Sequence, residues 1–479
     1  MKRSVIPPQP AAASGLYGAL TLLLLLAACR LGYEIGARDS IRKPTGGQRA
    51  SWTVLVYMSA DNELESFALQ DLNAIESLDL AGTGIRIVTL LDRAPGYDTS
   101  DGDWTSTRLY EATHDPDGLN ATIISRRLAC PELGLTETGD EELDLGDPAV
   151  LRGFLAFGER AYPADHRALV FWGHGSGWRS FSTLPAAPTS LDSTLAPEEP
   201  RAFIGVSFPR GVGVDVSNGE DLLTTSEMGS ALVGRWFDLI GFDTCSTAMI
   251  EVARELSGRG TLMVASEDLV SAAGWDYIDT LARFSASPME PTDLAEAIVA
   301  SYAERNADSA VATISALRLA GVPGIMAAFN DLCDQAWAGI IDAAVQTDLR
   351  RAIFEETEAF YATPGDLNVD LSDLAAVIAG RMAGLSPSAE RLEDAVAAAI
   401  VAEWHHPEGH PRAHGLSVHY VPLAADGTPI AHDLAYFRNA PAQGVPAFVS
   451  ESSWVPVYPA GPGLLYRIWY ESLSEKEHS

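Results

Sequence analysis

Phe237-Asp-Leu-Ile-Gly-Phe-Asp-Thr-Cys-Ser-Thr-Ala-Met-Ile250 decides how the chain reads. Leu239 to Phe242 is a short apolar run of the kind that fills a buried parallel strand. Asp243-Thr244-Cys245 breaks it, and Met249, Ile250, Val252, Ala253 and Leu256 then recur at helical spacing. Cys245 is therefore expected where a strand ends and a helix begins. In α/β sheets ligand sites form there, and backbone N–H groups with the helix dipole lower a thiol's pKa. A lone cysteine at such a point is more often a small packing residue, so the decision lies elsewhere in the chain.

Working outward, Ala168-Leu-Val-Phe-Trp172 is another apolar strand, ending in Gly173-His174-Gly175-Ser176-Gly177-Trp178. A histidine flanked by glycines thus stands at a strand end, as Cys245 does. Glycines there permit unusual backbone angles and close approach of a substrate chain. The motif is not a Gly-x-Ser-x-Gly nucleophile elbow, because Trp178 stands two residues past Ser176. Trp52-Thr-Val-Leu-Val-Tyr-Met58 and Ile85-Arg-Ile-Val-Thr-Leu-Leu91 are further strands. Between them Ser59-Ala60-Asp61-Asn62 turns the chain and offers a helix cap, and Leu64, Phe67, Ala68, Leu72 and Ile75 follow at helical spacing. Thr261 to Ala265 supplies one more strand. Strands alternating with helices predict an α/β fold with a mostly parallel sheet. Thr224-Thr-Ser-Glu227 is a capping box opening a helix through Leu232.

Beyond Pro291 the texture becomes Ala-rich and helical, over about 293–305, 322–344, 370–382 and 388–404, with a strand expected at Leu416 to Val421. His405, His406, His410 and His414 resemble a metal cluster, but Pro407, Gly409 and Pro411 prevent their presentation on a helix. Asp98, Asp101 and Asp103 read as a solvated turn, since their spacing is not that of a calcium loop. The stretch from Ser180 to Arg210 is rich in Pro, Ser, Thr and Ala and has no periodicity.

Charge is lopsided. With 32 Lys+Arg against 65 Asp+Glu the formal net charge is −33, which repels phosphate backbones and argues against nucleic-acid binding. At the N-terminus, Lys2 and Arg3 precede an apolar run from Leu16 to Ala28 that is short for a membrane span. Leu26-Ala27-Ala28-Cys29 resembles a bacterial lipobox, which implies cleavage before Cys29 and a lipid anchor on its sulfur. Residues 1–28 are thus expected to be a signal peptide, 29–50 a tether, 51–290 a catalytic core and 291–479 an α-rich subdomain packing on it. Cys130 and Cys333 either pair or remain buried thiols.

Together, Val54-Leu-Val-Tyr-Met-Ser-Ala-Asp-Asn62, Phe171-Trp-Gly-His-Gly-Ser-Gly-Trp178 and Phe242-Asp-Thr-Cys-Ser-Thr-Ala-Met-Ile-Glu251 resemble the clostripain family of cysteine peptidases. Ala265-Ser-Glu267, Gly274-Trp-Asp-Tyr277, Val369-Asp-Leu371 and Gly415-Leu-Ser-Val-His-Tyr420 extend the likeness across residues 52–422. The resemblance implies a caspase-like three-layer α/β sandwich, its mostly parallel sheet flanked by helices, with a helix-rich C-terminal region. It implies a Cys245 nucleophile, His174 as general acid and base, and an oxyanion hole formed by the N–H groups of Gly175 and Cys245. Members cleave after Arg or Lys, which needs carboxylates in the first specificity pocket. Asp243 matches one of these, but Ser271-Ala272-Ala273 stands where known members have another, leaving Asp268 and Asp276 as substitutes.

Maturation cleavage between the histidine and the cysteine is also a family trait, and Arg201 and Arg210 are the candidate sites here. Some members depend on Ca²⁺; the sequence presents no ligand set for it, and no cofactor is assigned. Peptide or protein substrates and a membrane reached through Cys29 are the expected partners. The competing reading is a catalytically silent, peptide-binding surface lipoprotein on the same scaffold.

Overall fold

A computed structural model describes residues 49–177, 211–286, 290–340, 342–360, 367–420 and residue 464. The signal segment with Cys29, the stretch from Trp178 through Arg201 and Arg210, and Val421 lie outside these.

The organising element is a nine-stranded sheet. An inner strand, β1 (Ala50–Ala60), runs parallel to β2 (Ile85–Arg93) on one side and to β5 (Ala164–Trp172) on the other. β8 (Phe237–Asp243) and β9 (Gly260–Ala265) continue beyond β5, still parallel. The edges turn antiparallel. β3 (Arg108–Glu111) and β4 (Arg126–Leu128) close one side, while β10 (Thr313–Arg318) and β13 (Ile400–His405) close the other.

Both faces of β1 are covered, as a continuous apolar run requires. Val56 and Met58 pack on one face with Leu72 and Ile75 of α1 (Glu65–Glu76), Phe284 of α5 (Tyr277–Ala286) and Ile298 of α6 (Pro291–Arg305). Leu55 and Tyr57 pack on the other face. Their neighbours there include Phe154 of α2 (Pro148–Ala161), Val252 of α4 (Ile250–Leu256) and Phe329 of α7 (Val322–Gly339). Each such side chain, fully buried, contributes about 1.5–3 kcal/mol. The result is the three-layer α/β sandwich. One buried hydrogen bond, Trp172 Nε1 to Asp71 Oδ2 at 2.7 Å, fastens α1 to the end of β5.

The capping box forms as read. The Glu227 N–H donates to Thr224 Oγ1 and the Thr224 N–H to Glu227 Oε2, opening α3 (Thr225–Ala231). Three other readings change. Asp61 and Asn62 do not cap α1; Asn62 donates to Val214 O and Asp61 Oδ1 accepts from the Ser217 N–H. Both therefore hold the hairpin of β6 (Gly211–Asp215) and β7 (Asp221–Thr224) against the end of β1. The helix expected over 322–344 stops at Gly339, and Asp342 caps a second one, α8 (Ala343–Glu356). The helix expected over 388–404 ends at Ala399, where Ile400 to His405 becomes β13. Pairing with β10, itself unread from sequence, overrides the local Ala-rich preference.

Strands from beyond residue 291 thus extend the central sheet. The same region includes α9 (Leu371–Arg381), α10 (Ser386–Ala399) and a small sheet of β11 (Ala359–Phe360), β12 (Leu367–Asp370) and β14 (Ser417–Tyr420). Ser417 reaches back to the core, its N–H and Oγ both donating to Ala248 O at 2.9 and 3.1 Å.

Candidate active site

β5 and β8 are neighbours in parallel register, with Trp172 opposite Asp243. His174 and Cys245 each follow two residues later, so both emerge side by side at the C-terminal edge of the sheet. Phe171 stacks on Phe242 with ring centroids 5.3 Å apart, holding the two strand ends level. Gly175 sits against the backbone of Cys245: a Cβ there would come 2.4 Å from Cys245 O and 2.7 Å from Thr244 Cβ. Gly173 has φ +133°, and a Cβ on it would lie 2.7 Å from Ser59 O. Both positions need glycine for these reasons.

Gly175 also pairs with Val212 of the hairpin. The flanking bonds run from Gly213 N–H to His174 O at 2.8 Å and from Ser176 N–H to Gly211 O at 3.2 Å. In an antiparallel pair of this kind the central residue's own N–H is turned away from its partner. The Gly175 N–H therefore points away from Val212.

Cys245 is buried, and its Sγ accepts the Val270 N–H at 3.2 Å. One expectation is corrected here. Cys245 does not open a helix; α4 begins at Ile250, five residues later. The intervening N–H groups of Ser246, Thr247 and Ala248 are spent on Asp268 O and Ser266 O. Ser246 is held at φ +54°, a left-handed conformation that a residue with a side chain adopts only when its surroundings impose it. The environment of the thiol is thus a tight backbone turn and not a helix terminus. The other two described cysteines are free and buried. Burial, with the Glu132 charge, pushes Cys130 up to about 12, and burial raises Cys333 well above its ordinary value.

His174 is buried, and its Nε2 lies 3.0 Å from Oε1 of Glu63, a residue the sequence reading did not single out. Burial alone would raise the Glu63 carboxyl, but the hydrogen bond and charge of His174 outweigh it and hold it below its ordinary value. Nothing local marks Glu63; its role follows from β1 lying beside β5.

The proposed pocket carboxylates are each engaged. Asp243 is fully buried, and its Oδ2 accepts from Trp275 N–H and Tyr277 OH, both at 3.2 Å. Asp268 Oδ2 lies 3.0 Å from His410 Nε2. Asp276 accepts the Asp279 N–H at 2.8 Å and lies 3.5 Å from Arg305. The four C-terminal histidines find separate partners. His410 bridges Asp268 and Glu358, His414 meets Asp370, His405 meets Glu403, and His406 Nδ1 accepts the Gly409 N–H. Asp101 accepts from Trp104 Nε1 and Ile123 N–H, and Asp98 from Ser100 N–H, as turn residues do. Carboxylates do converge elsewhere: Asp61, Asp92, Glu142 and Asp215 bring oxygens within 4.8 Å of one another.

A strand-end cysteine beside a strand-end histidine on a three-layer α/β sandwich defines the caspase-like class. Comparison with known proteins narrows it. The clostripain family's sequence profile matches residues 56–192 and 202–381, and the chain belongs to that family of cysteine peptidases. It is 27% identical over 244 residues to clostripain from Hathewaya histolytica, a match spanning 49% of this chain and 42% of that relative, so less than half of it is covered. In fold it is similar to a secreted C11 cysteine protease from Bacteroides thetaiotaomicron bound to an irreversible peptide inhibitor. That likeness has a TM-score of 0.54 at 18% identity and covers 84% of this chain and all of that one. It is also similar to an inactive zymogen C11 protease from Parabacteroides distasonis, with a TM-score of 0.53, 18% identity, and 78% and 93% of the two chains covered.

Proposed function

We propose that the chain is a cysteine endopeptidase in which Cys245 is the nucleophile and His174 the general acid and base. The observation that carries this reading is the register of Trp172 opposite Asp243, which levels the two residues on one sheet edge. The Cys245 thiolate attacks the scissile carbonyl carbon, forming a C–S bond and a tetrahedral oxyanion. The N–H groups of Gly175 and Cys245 receive that oxyanion; one such donor is worth about 100- to 1,000-fold in rate. The C–N bond then breaks as His174 gives its proton to the departing amine. Water, deprotonated by His174, hydrolyses the thioester. With Nε2 held by Glu63, the proton traffic runs through Nδ1.

Cleavage after Arg or Lys is part of this proposal, with Asp243 as the principal pocket carboxylate and Asp268 and Asp276 as the further ones. So is self-cleavage between His174 and Cys245, at Arg201 or Arg210, and export with a lipid anchor on Cys29. The zymogen form of one structural relative and the peptide inhibitor bound to another support these readings by likeness. Purified protein assayed on Arg-, Lys- and neutral-P1 fluorogenic peptides tests the core claim. Hydrolysis of the Arg and Lys substrates that is lost in Cys245→Ala is expected; equal rates in both proteins would overturn the assignment. Intact mass tests self-cleavage: wild type yields two pieces and Cys245→Ala one. For the anchor, fatty-acid labelling is expected to disappear in Cys29→Ala.

A further inference from the structure

The two edges of the central sheet differ in character. β1, β5, β8 and β9 run parallel, so His174 and Cys245 leave from one edge while Ala50, Ala164, Phe237 and Gly260 begin on the other. At that far edge lies the loop between α3 and β8, Val233-Gly-Arg-Trp236. Val233 is 60% exposed and Trp236 49%, which makes Trp236 the most exposed tryptophan among the described residues. Arg235 between them is turned inward. Its N–H donates to Leu232 O at 3.0 Å, its Nη1 donates to Ala231 O at 2.8 Å, and its Nε lies 3.4 Å from Glu159 Oε2. A braced loop therefore holds two large apolar side chains in water.

Single exposed apolar residues are ordinary, but here they share a corner with a cation. Most charges around it are paired. Arg49 meets Asp165 at 2.9 Å, Arg167 meets Glu159 at 3.2 Å, and His166 lies 3.4 Å from Asp238. Arg259 is the exception. It lies beside Trp236, because its carbonyl accepts the Phe237 N–H at 3.0 Å. It forms no ion pair among the described residues, and its buried Nε has no hydrogen-bond partner among them. Acidic groups gather instead at the opposite edge, where Asp61, Glu63, Asp92, Glu142 and Asp215 lie.

We infer that the corner of Val233, Trp236 and Arg259 rests on a lipid bilayer, with the indole among the headgroups and the guanidinium on lipid phosphate. Tryptophan is enriched at membrane–water interfaces because an apolar ring there carries one polar N–H. The guanidinium offers a fork that matches phosphate. Placement agrees with the chemistry. β1 enters the sheet at Ala50, opposite Ala164, so the polypeptide reaches the core from this same edge. A chain anchored at Cys29 brings that edge to the bilayer first, and the inference rests on the proposed anchor only for this delivery. The nine residues of β5 rise about 30 Å. His174 and Cys245 therefore open about that far above the lipid, towards polypeptides arriving from solution.

The test supplies a substitute anchor, so that its outcome is separate from lipidation, on which fatty-acid labelling of Cys29 reports. Full-length Cys29→Ala protein with an N-terminal histidine tag is held by a nickel-chelating lipid on vesicles of phosphatidylcholine and phosphatidylglycerol. Amide hydrogen exchange is then compared with that of the same protein in solution. Exchange over residues 232–237 and 258–260 should slow several-fold on the vesicles, while the exposed turn at 216–220 stays unchanged. Adding Val233→Ser with Trp236→Ser should remove the slowing and leave the melting temperature where it was. Arg259→Gln should at least halve it. No slowing in the tethered protein, or slowing of equal size in the serine variant, would overturn the inference. So would slowing that appears in concentrated protein without vesicles, because a second copy would then be what covers the corner.

Discussion

Two buried histidines, His174 and His410, answer to carboxylates in different ways. His174 meets Glu63, whose side chain is 32% exposed, and it lies on the sheet edge beside Cys245. His410 is clamped between two, Asp268 at 3.0 Å and Glu358 at 3.1 Å, deep in the seam where the C-terminal region meets the loop after β9. Burial alone would lower His410, but its hydrogen bonds to Asp268 and Glu358 outweigh that and raise it to about 9. A doubly clamped imidazole stays charged and acts as a rivet.

The largest expected contrast is in activity. His174→Ala should lower kcat/KM by about 100- to 10,000-fold with melting nearly unchanged. In His410→Ala the folded fraction should keep most of its activity. The second effect is stability: His410→Ala removes the imidazolium held between buried Asp268 and Glu358, at a cost of about 3 kcal/mol in denaturant unfolding. If that variant lost activity as His174→Ala does while unfolding like wild type, the division between the two histidines would collapse.

Glu63→Gln sharpens the other side. It should lower kcat/KM by roughly tenfold, about 1.4 kcal/mol. An unchanged kcat/KM would reduce Glu63 to a bystander. The smallest effect is a slope. A pKa raised in the folded state stabilises fully below the unfolded value of about 6.5 and is lost as pH rises through about 9. Wild-type stability should therefore fall more steeply between those pH values than that of His410→Gln; His414, raised to about 9 by its hydrogen bond to Asp370, contributes in the same direction in both proteins.

How much of this was legible in sequence depends on where the information sits. β1, β2, β5, β8 and β9 are buried on both faces, and their β-branched and aromatic runs announce them without help. Cys245 and His174 inherit that clarity as the residues on which two such runs end. β13 was missed because an edge strand with a half-exposed face, Ile400 to His405, carries little pattern of its own, and β10 because its short inner run, Thr313–Arg318, mixes Thr, Ser and Ala with few large apolar residues. Glu63 and the four clustered carboxylates were invisible for a different reason. They come together through tertiary placement: strand order β2-β1-β5 brings residues 61, 63 and 92 to one edge, and the hairpin of β6 and β7 docked there carries 215, while local sequence shows only polar turn residues. The helix expected directly after Cys245 failed because the following N–H groups prefer carbonyls of the 266–268 loop.

The bond from Ser417 to Ala248 has a consequence in time as well as in space. It spans 169 residues and anchors the turn that follows Cys245 to a strand made long after it. A growing chain that has completed β5 and β8 already has both strand ends, yet lacks the clasp for the segment between them and α4. The 266–268 loop can hold the cysteine's turn early, but its clasp closes only once β14 has been translated.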